Sequence, residues 1–470
     1  MIRTKMHSSV LCGVVVVALS SLVLAGCTTN PKPAADATKG KAITVWTGDT
    51  IPDRVAATKV IFAKFTAATG IDVKFVGVAE DQFNQVLTSS VAANTLPDVF
   101  GSVSLPQVRE LAANNLLDTT AAAAVVKALG QDTFSANALA LTKEGDKQLA
   151  VPSDFWPQIL FYRKDLFAAA GLAAPKTYAD ILADAKALNS PEMAGFVGAT
   201  TPGAAFTQQT FEHIALANNC QMVDKSGKIT FDSSECANAL NFYGDLIKNY
   251  STVGAQDVNT VRASYFAGKA AMMIWSSFVL DEMAGLRKDA KPTCAQCVAD
   301  PTFLAKNTGI VSAIQGPDSD KPAQFGEIWS AAIRAGGATD SAKKFVQYML
   351  SDGYIDWTSF APEGKIPVRQ GTQQKPTEFA DTWKTLPVGV DTKAPLSDFY
   401  PADVLKGFQD GINNVSRWGI TQGQGALVGA SYGELPVTQA VSEVTNGGVD
   451  AKTAAKKAAE ALQSIQNSLK

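Results

Sequence analysis

From Ile43 to Gly101 the chain alternates two hydrophobic periods, and this alternation restricts the fold more than any other feature of the sequence. Ile43-Thr44-Val45-Trp46 reads as a short strand that ends in the small, polar loop Thr47-Gly48-Asp49. Val55, Ile61, Phe62 and Phe65 then fall on one face of a helix capped by Asp53 and stopped by Gly70. Ile71, Val73 and Phe75 alternate with Asp72 and Lys74 as a second strand leading to Glu80. Phe83, Val86, Leu87 and Val91 return to helical spacing before Pro97-Asp98-Val99-Phe100-Gly101. Such β-α-β-α order implies an α/β fold with a mainly parallel sheet, helices on both faces, and ligands met beyond the carboxyl ends of the strands. Trp46, Asp49 and Glu80 all fall just after strand ends. The competing reading makes Trp46 a core residue and the two acids helix caps.

A second block opens at Val151-Pro152-Ser153-Asp154-Phe155-Trp156-Pro157 and runs into Ile159-Leu160-Phe161-Tyr162. Its prolines suit a strand that crosses between lobes better than one in mid-sheet. Helices follow at Leu166–Ala170, stopped by Gly171, and at Tyr178–Leu188, capped by Thr177. Met272-Met273-Ile274-Trp275 reads as a strand that delivers Trp275 to a loop, and Glu327–Ile333 as another crossing. The last helix spaces Ala455, Ala458, Leu462, Ile465 and Leu469 by three and four, which gives one stripe that docks.

The N-terminus has the layout of an export signal. Arg3 and Lys5 precede an apolar run from Val10 to Ala25, and Leu24-Ala25-Gly26-Cys27 follows. The run, about sixteen residues, falls short of the ~20 that a spanning helix needs. Residues 1–26 are therefore expected to be a signal peptide. Residues 27–41, rich in Thr, Pro, Ala and Lys, are expected to be a flexible tether. The remainder, 42–470, is too long for one ordinary core and suits two lobes. A net charge of -3 with no long basic run offers nucleic acid no electrostatic footprint.

Past Cys27, four cysteines fall into two local pairs, as expected of an exported chain. Cys220 and Cys236 flank two strand-like runs joined by Asp224-Lys225-Ser226-Gly227, and a bridge closing about fifteen residues contributes on the order of 3 kcal/mol in the chain-entropy model. Cys294-Ala-Gln-Cys297 has the spacing of redox and zinc sites as well. Zinc would need a second ligand pair, and the surroundings read as loop rather than the helix start that stabilises a thiolate, so a structural bridge is expected.

The chemistry of turnover is thinly represented. His213, the one histidine after Cys27, lies in a helix-like segment with Phe211 and Ile214 and has no partner for a metal site. Thr421-Gln-Gly-Gln-Gly-Ala-Leu427 lacks the Gly-Lys-Ser/Thr ending of a phosphate loop. Neither a metal nor a cofactor is expected. A carboxylate pair for glycoside hydrolysis is not singled out by any spacing. Tryptophans beside polar residues are better represented: Trp46, Trp156, Trp275, Trp329 and Trp418. Flat rings can stack on the C–H face of a sugar while neighbouring carboxylates and serines take its hydroxyls. Two or three of the five are expected to be core residues instead.

Taken in order, several segments resemble the family 1 extracellular solute-binding proteins of ABC importers. They are Ile43–Trp46, Phe65-Thr-Ala-Ala-Thr-Gly-Ile71, Leu96-Pro-Asp-Val99, Tyr162-Arg-Lys-Asp-Leu-Phe167 with Ala170-Gly-Leu172, Phe266-Ala-Gly-Lys-Ala-Ala-Met272, Ala342–Met349 and Gly364-Lys-Ile-Pro-Val368. The Leu24–Cys27 tetrad resembles a lipobox, which implies a lipid on Cys27 and a place on the extracytoplasmic face of the cell membrane. The resemblance implies a type II periplasmic-binding fold, with one lobe of 42–152 and 333–363 and the other of 153–332 and 364–470. It places a ligand where Trp46, Asp49 and Glu80 face Asp154, Trp156, Trp275 and Trp329. Ser104 and Arg369 are further candidates, and Trp418 and Tyr432 come from a long C-terminal extension. The implied role is capture by a monomer and delivery to ABC importer membrane subunits, without catalysis. A sugar or oligosaccharide is the expected ligand. The alternatives are a glycerol phosphodiester, a peptide or a polyamine on the same fold, or a secreted glycoside hydrolase.

Overall fold

The structure, a computed structural model, describes residues 42–469. The expected signal peptide, Cys27 and the tether lie outside the described residues. Strand β1 (Ile43–Thr47), helix α1 (Pro52–Thr69), strand β2 (Val73–Gly77), helix α2 (Phe83–Ala93), strand β3 (Val99–Val103) and helix α3 (Leu105–Ala113) realise the alternation seen in the sequence. Both β2 and β3 pair with β1 in parallel. Gly70, at φ 71°, terminates α1 in the left-handed region as its sequence position predicts. Asp53 lies in the first turn of α1, next to Pro52, instead of capping it; the position before the helix is Ile51, whose side chain cannot accept a hydrogen bond.

The sheet is mixed rather than mainly parallel. Beyond β3 it continues through Gly326–Ile333 and Val151–Arg163 to Ile366–Pro367, and each of these joins is antiparallel. The reason lies in the thirteen-residue strand Val151–Arg163. Its first half, Val151 to Pro157, pairs with Gly326–Ile333, while its second half pairs with Met272–Ser276 and Thr308–Val311. One strand thus leaves the β1–β3 layer and becomes the centre of a second one, although its proline-bearing half, expected not to lie in mid-sheet, is paired with Gly326–Ile333 on one edge and with Ile366–Pro367 on the other. The register slips between Pro152 and Asp154, where Pro152 lacks a ladder N–H. Thr339–Met349 and Tyr354–Ser359 then return to the first layer, where Phe345 packs edge-on against Phe62 and Phe65 of α1.

The second layer is covered by Ala205–Ala217, Ser234–Tyr250 and the C-terminal helices Pro436–Thr445 and Ala451–Ser468. On the last helix Ala455, Ala458, Leu462 and Ile465 are buried, but Leu469, one residue past its end, is exposed. Both disulfides are closed, Cys220–Cys236 and Cys294–Cys297. Around the first, the strand-like runs meet in a single bridge, Val223 to Ile229, and Cys236 belongs to the first turn of Ser234–Tyr250. The second pair does not sit in loop: Cys294 caps the short helix Ala295–Ala299, its sulfur accepting from the Cys297 N–H. Both cysteines of that pair are buried.

Candidate functional site

The carboxyl ends of β1, β2 and β3 open onto a cavity of about 160 Å³, part of it open to solvent. Asp49 enters from the loop after β1 and Glu80 from the turn after β2. Gln107 comes from the first turn of α3, and Arg54 from the first turn of α1. The opposite wall is Phe278, Trp329 of the crossing strand, and Lys365. Gly364 has a close-approach role here, because a Cβ at that position would sit 2.0 Å from the Phe278 ring.

The polar groups of this wall are incompletely used. Asp49 is 8% exposed, and its Oδ2 is buried with no hydrogen-bond partner among the described residues. The Gln107 amide oxygen accepts the Ser104 N–H at 2.9 Å. Lys365 is 4% exposed, and its ammonium lies 4.0 Å from Asp154 Oδ2, 3.9 Å over the Trp357 ring and 4.8 Å over Phe360. These contacts hold the charge. They are not hydrogen bonds, and none is formed by the ammonium with any described residue. Arg54 stands 3.9 Å from Glu363 and 5.1 Å over Phe278.

Glu80 accepts a 2.8 Å hydrogen bond from the Tyr432 hydroxyl, at the end of helix Gly425–Tyr432. Burial pushes the Glu80 carboxyl up to about 7; the negative Glu327 and Asp81 act in the same direction, against the Tyr432 bond and Arg417. Behind it, Arg417 joins Glu212 at 3.0 Å and Glu327 at 2.7 Å, while Glu327 also accepts the Leu105 N–H at 2.8 Å. This triad is complete and fixes the start of α3. Glu363, desolvated and beside Asp281, is held well above the usual carboxylate range.

Of the residues expected at a ligand, the structure brings Asp49, Glu80 and Trp329 together on the cavity. The others lie elsewhere. Trp46 is packed edge-on against Phe83 and Phe100, one layer behind the wall that Phe83 supplies. Ser104 is fully buried as the cap of α3, in a capping box with Gln107. Asp154 is buried under Lys365, and its Oδ1 accepts from Ser153 at 2.6 Å and the Trp357 indole at 2.7 Å. Trp156 is core against Phe278 and Phe325. Trp275 donates to the Val258 carbonyl at 3.0 Å and packs on Phe206. Arg369 donates to Thr133 at 3.0 Å and to the carbonyls of Leu129 and Leu350, away from the cavity. Trp418 is core as well, donating to the Cys220 carbonyl.

Arg54, Lys365, Gln107 and Phe278 are cavity residues that sequence reasoning missed. Lys365 stood inside a segment recognised only for its family pattern. His213 is a buried structural residue: its Nδ1 accepts the Phe325 N–H, and burial lowers its pKa to about 4. Among the described residues no three His, Cys, Asp or Glu side chains are grouped to hold a metal. None of the described helices is long and apolar enough to cross a membrane.

Strand-end carboxylates facing an aromatic wall, in a sheet whose strands pass from one layer to another, define a two-lobed receptor of the type II periplasmic-binding class. The chain belongs to the bacterial extracellular solute-binding proteins, whose family model matches residues 48–355. It is a binding protein and not an enzyme. It is 30% identical over 340 residues to the putative ABC transporter periplasmic-binding protein YcjN of Escherichia coli, covering 71% of this chain and 73% of that one. A mannitol-binding protein of Pseudomonas aeruginosa is 31% identical over 217 residues, 44% of this chain and 45% of the relative. The maltose-bound MalE3 of T. maritima has the same fold, with a TM-score of 0.68 at 18% identity over 90% of this chain and 100% of that chain.

Proposed function

We propose that the protein captures a sugar or sugar alcohol in this cavity and delivers it to the membrane subunits of an ABC importer. The observation that carries the reading is a buried carboxylate with an uncommitted acceptor, Asp49, in one cavity with Trp329 and the amide of Gln107. A ring or alkyl chain lies on the indole while hydroxyls meet the polar groups. The names of two relatives point the same way, one to mannitol and one to an ABC transporter. The lobes are 42–152 with 333–363 and 153–332 with 364–470, and ligand contacts to both favour the closed state that the membrane subunits recognise. The receptor works as a monomer, held by a lipid on Cys27 at the extracytoplasmic face of the cell membrane.

A thermal-shift screen of a soluble form starting at Thr28 tests this against mannitol, maltose, a glycerol phosphodiester, spermidine and a tripeptide. The expected result is a rise in melting temperature with a sugar or alditol, lost in Asp49→Asn. A rise with the phosphodiester, amine or peptide alone overturns the ligand class.

A further inference from the structure

We propose that helix Gly425–Tyr432 is a strap by which the C-terminal extension clasps the first lobe, so that the cleft opens only when this helix leaves α3. The inference rests on the two-lobed capture reading and adds a working part to it. On that reading both flanks of the helix are tied to the second lobe. Before it, Arg417 joins Glu212, the Trp418 indole donates to the Cys220 carbonyl, and Gln422 donates to Gln221 at 2.9 Å. After it, Thr438 accepts the Gly203 N–H at 2.7 Å, and Pro436–Thr445 packs with Ala451–Ser468 against Ser234–Tyr250. The eight residues between these anchors reach across to α3 of the first lobe.

This contact brings backbone onto backbone. A Cβ at Gly429 would stand 2.5 Å from the Glu110 nitrogen and 2.8 Å from the Arg109 carbonyl carbon, and one at Gly425 would stand 2.7 Å from Arg109 Cδ. Glycines four residues apart share one helix face, and here they let the two helices meet at that distance. Arg109 is not free to swing aside, because its guanidinium donates to the carbonyls of Leu141 and Lys143 within the first lobe. At its far end the helix gives the Tyr432 hydroxyl to Glu80, also of the first lobe. The chain then turns back at Leu435, held at φ 49° in a left-handed region that leucine seldom adopts. The junction is not sealed like a core. A gap of about 20 Å³ lies between Pro106 of α3, Gln208 and Glu212 of the second lobe, and Tyr432 and Leu435. On its wall the Gln208 amide oxygen is buried without a partner among the described residues. Water satisfies that oxygen when the helices part, which offsets lost contact and makes the clasp reversible.

Small-angle X-ray scattering and titration calorimetry with mannitol and maltose test the strap on the soluble form starting at Thr28. The proteins compared are the wild type, Gly429→Ala, Gly425→Ala and Ala426→Leu, with circular dichroism and the unfolding midpoint establishing that each is folded. The methyl added in Gly429→Ala meets backbone and must push the strap off α3. In Gly425→Ala it meets a side chain, so this milder variant carries the test if the first fails to fold. Ala426 is exposed on the same helix and serves as the control. Ligand-free Gly429→Ala is expected to have a larger radius of gyration than the wild type. Whichever probe the wild type binds should bind to it about tenfold more weakly, on the scale of coupling between distant sites. Neither glycine lines the cavity, so that loss reads the lobes and not a ligand contact. Gly425→Ala should move both quantities the same way by less, and Ala426→Leu neither. A folded Gly429→Ala, or Gly425→Ala in its place, with the wild-type radius of gyration overturns the strap, while capture stands if the wild type binds a probe. If the wild type binds neither probe, the capture reading falls, and the radius of gyration alone decides the strap.

Discussion

Two buried cations, four residues apart on one segment, are used in opposite ways. Arg369 donates to Thr133 and to the carbonyls of Leu129 and Leu350, and lies between the rings of Phe134 and Phe379. Its guanidinium ties the turn after one helix to the end of another, and every group it touches is protein. Lys365 is buried to the same degree, yet it is held only by rings and by a carboxylate 4.0 Å away. Burial of charge therefore does not mark a binding site. What separates the two regions is whether the hydrogen-bonding capacity of the buried group is used up inside the fold.

Arg369→Ala is the substitution that tests this most severely. It would leave two carbonyls and a threonine hydroxyl without their donor in a water-excluded place, and the expected loss of stability is about 3–5 kcal/mol by denaturant unfolding. Ligand affinity of the folded fraction should stay within about twofold. A variant that keeps its stability and loses affinity would reverse the roles of the two cations.

The same contrast runs through the tryptophans, with a smaller expected effect. Trp275→Ala removes a core ring and its bond to the Val258 carbonyl, which should lower stability by about 3 kcal/mol. Trp329→Ala removes a half-buried wall of the cavity and should lower affinity about tenfold with little change in unfolding midpoint. Paired unfolding and calorimetry on the two variants read both quantities. Equal effects on affinity would bring Trp275 back into the ligand site.

These pairs also explain which parts of the site were legible in the sequence. The alternation from Ile43 to Gly101 fixes where parallel strands end, so Asp49 and Glu80 could be placed at the cavity by position alone. A tryptophan beside a polar residue carries no such positional information. Trp46, Trp156 and Trp275 lie at the edge of a core, and Trp329 on the cavity, with the same local composition. Ser104 followed by Gln107 is a capping box, and that competing use decides its role. Lys365 and Arg54 were invisible because their meaning depends on partners far away in sequence, Asp154 and Glu363 respectively. The antiparallel half of the sheet was hidden for a related reason. Strand direction there follows from how Val151–Arg163 passes between layers, and no short-range period records it.

Glu80 gives the smallest of the expected effects and the most direct look at the cavity side of the comparison. Burial, with Glu327 and Asp81 nearby, raises its carboxyl to about 7, against about 4.5 for a free glutamate; the Tyr432 hydroxyl and Arg417 oppose the shift. Between those two values the folded protein holds this proton and the unfolded chain does not. Stability from this group therefore falls as pH rises from 4.5 to 7 and levels off above. In Glu80→Gln the amide oxygen can still accept from Tyr432, but the proton linkage is gone. The variant should gain on the wild type steadily from pH 5 to 7.5, by on the order of 1 kcal/mol once solvent screening at this partly exposed position is allowed for. Unfolding of both proteins across that range reads the difference directly, and the linkages of His213 and the other buried acids cancel in the subtraction. A constant gap would mean that Glu80 titrates like a surface acid, with burial too weak to outweigh the Tyr432 hydroxyl and Arg417. A rising gap would show a cavity wall whose charge state changes near neutral pH, unlike the fully committed Arg369 clamp.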